Sequence, residues 1–122
     1  MTEQISFTKY ERQVLPVLRE NLNQAESTED IKKFFSYALK ELLQQIFAEQ
    51  EMEFDYTDVV FDSAEEPFYT IDERLRTLDG FAATWENSDL PHIISNFAQA
   101  AKNRYTRLEK HFDKTEAKIR RQ

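Results

Sequence analysis

One glycine, Gly80, and three prolines serve a chain of 122 residues. Sandwiches and barrels need turn residues at every reversal of direction, so this supply fits long helices joined by few turns. The expected fold is all-α, a bundle of about four helices with a long C-terminal helix. The length suits one compact helical domain over residues 1–122 rather than two. Ten Phe, five Tyr and one Trp give such a bundle aromatic surface to bury.

Cysteine is absent, which removes disulfides, thiolate metal sites and a cysteine nucleophile together and leaves packing to hold the fold. The opening Met1-Thr2-Glu3-Gln4-Ile5 has neither a basic stretch nor an apolar core of the secretory kind. No apolar run approaches the roughly 20 residues of a membrane span. A cytoplasmic protein without membrane association is the expectation.

The periodicity sets the helices at 8–24, 28–50, 70–79 and 89–119. Thr8-Lys9-Tyr10-Glu11 has the spacing of a capping box, and Tyr10, Val14, Leu15, Leu18 and Leu22 follow as one apolar stripe. Pro16 inside that stripe predicts a kink near Arg12 to Pro16 or a break into two helices. Ser27 is placed to cap the second helix, with Glu29 and Asp30 favoured in its first turn. Its face, from Ile31, Phe34 and Phe35 through Leu39, Leu42 and Leu43 to Phe47, is broad enough to touch two neighbours. Leu39-Lys40-Glu41-Leu42-Leu43 matches a short docking motif in form, but its leucines fall on this core stripe.

Helical periodicity stops over residues 51–69, where β-branched and aromatic residues fit an irregular connection or a short β-hairpin. Thr70-Ile71-Asp72-Glu73 then reads as a second capping box, and Asp79-Gly80 as the close of that helix. In the last helix Ile94, Ala98, Ala101, Tyr105, Leu108, Phe112, Thr115 and Ile119 alternate steps of four and three, a heptad seam. At roughly thirty residues it is about 45 Å long, so residues 105–122 are expected to project as a basic end or to pair with a second copy.

Charge is unevenly distributed. Residues 1–40 balance, residues 41–73 carry eleven acids and no base, and residues 102–122 carry eight bases against three acids. In the acidic block Glu51, Glu53, Asp55, Asp58 and Asp62 alternate with Phe54, Tyr56, Phe61, Phe68 and Tyr69. As a surface, these ten residues suit a basic protein partner, with aromatic anchors for affinity and carboxylates to steer the encounter. The plainer alternative is a solvated loop whose aromatics turn into the bundle. The basic end complements its own helix dipole, and its acids Glu109, Asp113 and Glu116 argue against direct nucleic-acid contact.

Catalytic chemistry finds little support. No serine stands in a glycine-flanked elbow, and one glycine cannot build a phosphate loop. His92 and His111 are too far apart on one helix to share a metal. His92 reads first as an exposed first-turn histidine, with Asp89 three residues before it offering a carboxylate-oriented imidazole as the alternative, and His111, among like charges, reads as surface. Asp89-x-x-His92 is also the nearest approach to a di-iron motif, and Asp55, Asp58 and Asp62 lack calcium-loop spacing. No cofactor or metal is therefore expected. The leading functional expectation is a non-enzymatic binding or adaptor module, possible also as a homodimer through the C-terminal helix. The alternative is a nucleic-acid-related regulator, either an acidic mimic or a contact through the basic helix. A small enzyme built on His92 is the third.

Overall fold

The structure is a computed structural model that describes residues 5–50 and 52–120, with side chains as far as residue 110. Five α-helices and one β-hairpin follow in the order α1 (Thr8–Gln24), α2 (Thr28–Ile46), β1 (Val59–Phe61), β2 (Tyr69–Ile71), α3 (Glu73–Arg76), α4 (Asp79–Asn87) and α5 (Leu90–Arg120). A 3₁₀ turn at Ala48–Gln50 ends the second helical stretch, which the sequence pattern had continued to residue 50. The fold is thus mostly α with a long last helix, as expected, and residues 73–87 hold two short helices.

Three long helices make the core. The short connection at residues 25–27 folds α2 back along α1. Helices α1 and α5 run parallel, tied at one end by Asn96 Nδ2 donating to Glu11 Oε2 (2.8 Å) and at the other by Arg104 Nε donating to the Leu22 carbonyl (2.8 Å). The apolar stripes meet between them: Leu18 and Leu22 of α1, Ile31, Phe35, Leu39, Leu42 and Leu43 of α2, and Ile94, Phe97, Ala98 and Ala101 of α5 are all buried. Each large side chain fully removed from water contributes about 1.5–3 kcal/mol before chain entropy is counted.

The predicted Leu39, Leu42 and Leu43 motif is therefore core. So is the first half of the heptad seam, for Tyr105 and Leu108 pack on the same cluster within one chain. Phe112, Thr115 and Ile119, the rest of the seam, lie outside the side chains described.

Two helix starts differ from expectation. Thr8 caps nothing. Phe7 occupies the cap position without a side-chain bond, and the donors there go to Asp89, whose Oδ1 accepts from Phe7 N (2.8 Å) and whose Oδ2 accepts from Ser6 Oγ (2.9 Å) and Thr8 Oγ1 (3.3 Å). A carboxylate some eighty residues away thus does the work of a local box, and a short parallel bridge from Ile5 to Ser88 holds the two segments together.

The second box fails because Thr70 and Ile71 belong to β2. Asp72 caps α3 instead, accepting from Arg74 N at 3.1 Å. Gly80 lies in the first turn of α4 rather than at a helix end; a Cβ there would meet the tips of Met52 and Gln50. Helix α2 starts as read, with Ser27 Oγ accepting from Asp30 N at 3.2 Å. Helix α1 is not divided at Pro16. Arg12 and Pro16 both lie on its exposed side, where water can take the carbonyl that proline leaves unpaired.

Candidate functional site

The hairpin explains most of the acidic segment. Strands β1 and β2 pair antiparallel with Val59 opposite Ile71, Val60 opposite Thr70 and Phe61 opposite Tyr69. Alternation turns Val59 and Phe61 inward and Val60 out. Phe61 lies 5.8 Å from Phe35 and 5.7 Å from Tyr105, joining β1 to α2 and α5. Phe54 is likewise buried, 5.6 Å from Phe47. These two predicted anchors belong to the core, because an aromatic on a two-stranded sheet is stable only when the sheet's inner face is covered.

Several carboxylates satisfy local backbone groups. Asp58 is buried at 3% exposure. It accepts from Asp55 N (2.7 Å) and from Arg74 Nε (3.2 Å) and forms an ion pair with Arg74 Nη2, which also reaches the Glu53 carbonyl at 3.0 Å. The hydrogen bond to Asp58, helped by its charge, raises the Arg74 guanidinium above its already high value. Asp55 Oδ1 accepts from Tyr56 N, and Asp62 Oδ1 accepts from Ala64 N in the hairpin loop. Asp58 and, in part, Asp62 are thus structural, because side-chain carboxylates replace the turn residues that the composition withholds.

Phe68 and Tyr69 are half-buried. Phe68 holds a left-handed φ of 72°, which costs a bulky residue about 1–2 kcal/mol. Lys102 of α5 steadies this loop, donating to the Ser63 carbonyl at 2.8 Å with Nζ 5.3 Å from the centre of the Phe68 ring. Tyr69 meets Trp85 edge-on at 6.5 Å. Burial pushes its phenol above the ordinary tyrosine value near 10, while Ser95 and Arg76 pull it back part of the way. The folded state therefore prefers the neutral phenol, so this contribution to stability is whole below about pH 10 and is lost as pH rises through the raised folded value. Alkaline unfolding should consequently be shallower in Tyr69→Phe than in the parent when circular dichroism is followed from pH 9 upward.

Of the ten predicted site residues, Glu53, Asp55 and Tyr56 remain exposed, and Glu51 lies outside the described residues. Tyr56 is 46% exposed and meets Tyr37 of α2, itself 45% exposed, at 4.7 Å between ring centres with the ring planes tilted by 57°. Every other described aromatic is buried or half-buried. Lys40 Nζ stands 4.1 Å from the Tyr56 ring centre and Lys33 Nζ 5.7 Å from that of Tyr37, contacts of the cation–π kind that hold the rings in place. Tyr37 also lines a cleft of about 310 Å³ between α1 and α2, floored by Val14, Leu18, Phe34 and Ala38 and edged by Val17 and Glu41. Val17 is 55% exposed.

Sequence reading missed Tyr37 and Val17 because each stands off the apolar stripe of its helix. That offset was the available signal, since an aromatic or β-branched residue on the wet side of an otherwise regular stripe has no packing role to fill.

His92 is exposed, and the Asp89 carboxylate that was to orient it is committed to Ser6, Phe7 and Thr8. His111 lies beyond the described side chains. Among the described residues no three His, Asp or Glu stand close enough to hold a metal ion, and no helix is long and apolar enough to cross a membrane. A scan of protein-family models and searches of curated proteins and of solved structures found no match to this chain.

Proposed function

We propose that this chain is a non-enzymatic protein-binding module that grips a partner across the face formed by α1, α2 and the turn at residues 55–57. Tyr37 and Tyr56 are the anchors, the cleft beside Tyr37 receives an apolar side chain, and Glu41, Glu53 and Asp55 orient a partner of basic character. The observation that carries this reading is the exposure of two tyrosines in mutual contact in a chain that shelters its other described aromatics. Tyrosine offers large contact area at little entropic cost, and interface hot spots are enriched in it. The acidic, cysteine-free composition suits work in the cytoplasm.

The test is affinity capture from cells that express the protein, followed by titration of whatever is retained. Replacing both anchors, Tyr37→Ser with Tyr56→Ser, should weaken the captured complex by about tenfold or more while far-UV circular dichroism stays as in the parent. Reversing Glu53 and Asp55 to Lys should chiefly slow association and flatten its salt dependence. Capture that survives the double tyrosine substitution at full affinity would remove this face as the binding surface.

A further inference from the structure

The other flank of α1 carries an arrangement that the tyrosine face does not use. Between α1 and α5 runs a groove of about 660 Å³, and its two ends differ in charge. Arg19, Arg104 and Arg107 line one end, Glu11 and Asn96 the other, and Gln99 and Asn103 stand between them.

Arg104 is fixed in place. Its Nε donates to the Leu22 carbonyl at 2.8 Å and its Nη2 to those of Asn23 (3.3 Å) and Ala25 (3.2 Å), capping the end of α1, while its Nη1 has no partner among the described residues. Arg19 and Arg107 have no carboxylate within ion-pair reach among those residues. This is informative in a chain with 23 acids against 16 bases. Gathering three guanidinium groups costs repulsion, and an acid at a neighbouring position would relieve it at once, yet the described surroundings supply amides instead. Forked guanidinium groups match phosphate and carboxylate oxygens, and an anion from outside supplies the missing countercharge.

We propose that this groove binds a small phosphate-bearing molecule of nucleotide size, with its phosphate on Arg19, Arg104 and Arg107. The volume falls within the range of roughly 300–1,000 Å³ typical of small-ligand sites. Glu11 lies eight residues from Arg19 on α1, a distance of about 12 Å along the helix. A carboxylate at that spacing repels a polyanion but accepts from hydroxyl or amino groups, so the ligand carries its charge at one end and its donors at the other. Asn96 already holds Glu11 Oε2, which leaves Oε1 for the ligand. Gln99 Nε2 donates to Asn103 Oδ1 at 2.9 Å, and this pairing leaves Gln99 Oε1 and Asn103 Nδ2 to meet the middle of the molecule.

Calorimetric titration with adenosine monophosphate, adenosine, inorganic phosphate and a 5′-phosphorylated oligonucleotide tests the assignment on the full chain. The monophosphate should bind, and adenosine about tenfold or more weakly, as loss of charge-assisted bonds requires. Arg19→Gln with Arg107→Gln should weaken the monophosphate by a similar factor. Both side chains are exposed, so the thermal midpoint of this double variant should stay near that of the parent. Glu11→Gln should weaken the monophosphate and leave inorganic phosphate unchanged. Absence of monophosphate binding at millimolar concentration would overturn the proposal, as would binding indifferent to the arginine pair. Oligonucleotide affinity that rises with length would overturn it in favour of a nucleic-acid surface.

Discussion

Phe35→Ala should lower the free energy of unfolding by about 3–5 kcal/mol, while Tyr37→Ala, two positions along the same helix, should cost less than about 1 kcal/mol. Phe35 is fully buried and touches the inward face of the hairpin through Phe61, which in turn meets Tyr105 of α5. Removing its ring opens a cavity where α2, β1 and α5 join, and a hairpin of two three-residue strands depends on such cover to keep its inner face dry. Tyr37 gives up its contacts with Tyr56 and Lys33 and its place at the wall of a cleft, and both tyrosine rings are open to water. Urea denaturation of the two variants, followed by far-UV circular dichroism, measures the contrast. Equal losses would mean that the wet and dry faces of α2 are wrongly divided.

The second large effect is expected at Arg74. Changing it to Leu leaves the buried Asp58 carboxylate with one backbone donor and no countercharge. Breaking a buried pair from one side costs about 3–5 kcal/mol, and because the Arg74 side chain is 46% exposed, water replaces part of what is lost; about 2–3 kcal/mol is the expected result. Adding Asp58→Asn should recover part of that loss, since the amide carries no charge to strand and its oxygen still accepts from Asp55 N. A double-mutant cycle in urea measures the recovery. The locus of damage should be the 53–58 turn and the hairpin, because Arg74 also holds the Glu53 carbonyl and Asp72 N donates to the Asp58 carbonyl at 2.7 Å.

Both predictions depend on what the acidic block does. Its composition suggested one continuous charged and aromatic surface. The fold divides it by the pleat of β1 and by turn chemistry: Phe54, Asp58 and Phe61 go inside, Asp55, Asp62 and Asp72 hold backbone donors, and Glu53, Asp55 and Tyr56 remain for a partner. Charge in a segment poor in glycine thus serves partly as turn-making material.

The long helices were legible because their signals are local. The stripes of α1 and α2, that of α5 as far as Leu108, and the Ser27 cap depend on spacing within a few residues, and these appear where the pattern put them. What escaped notice depends on residues far apart in the chain. No local pattern reveals that Asp89 serves the start of α1, that Arg104 caps its end, or that Tyr56 rests on Tyr37. The basic block shows the same limit. Lys102 and Arg104 looked like surface charge, and each is committed to backbone carbonyls across the fold. The binding face was half legible for that reason: its loop contribution stood out by composition, and its helical half was visible only as a tyrosine off its stripe.

The central claim, that a protein partner docks over Tyr37 and Tyr56, is tested most directly by site-specific photo-crosslinking in living cells. A benzophenone side chain is placed at position 37 or 56, and in a control at position 99, in the groove on the other flank of α1. The account predicts a discrete adduct with one partner from positions 37 and 56 and none from position 99. An adduct formed only from position 99, or none from 37 and 56 while the protein still captures its partner, would contradict it.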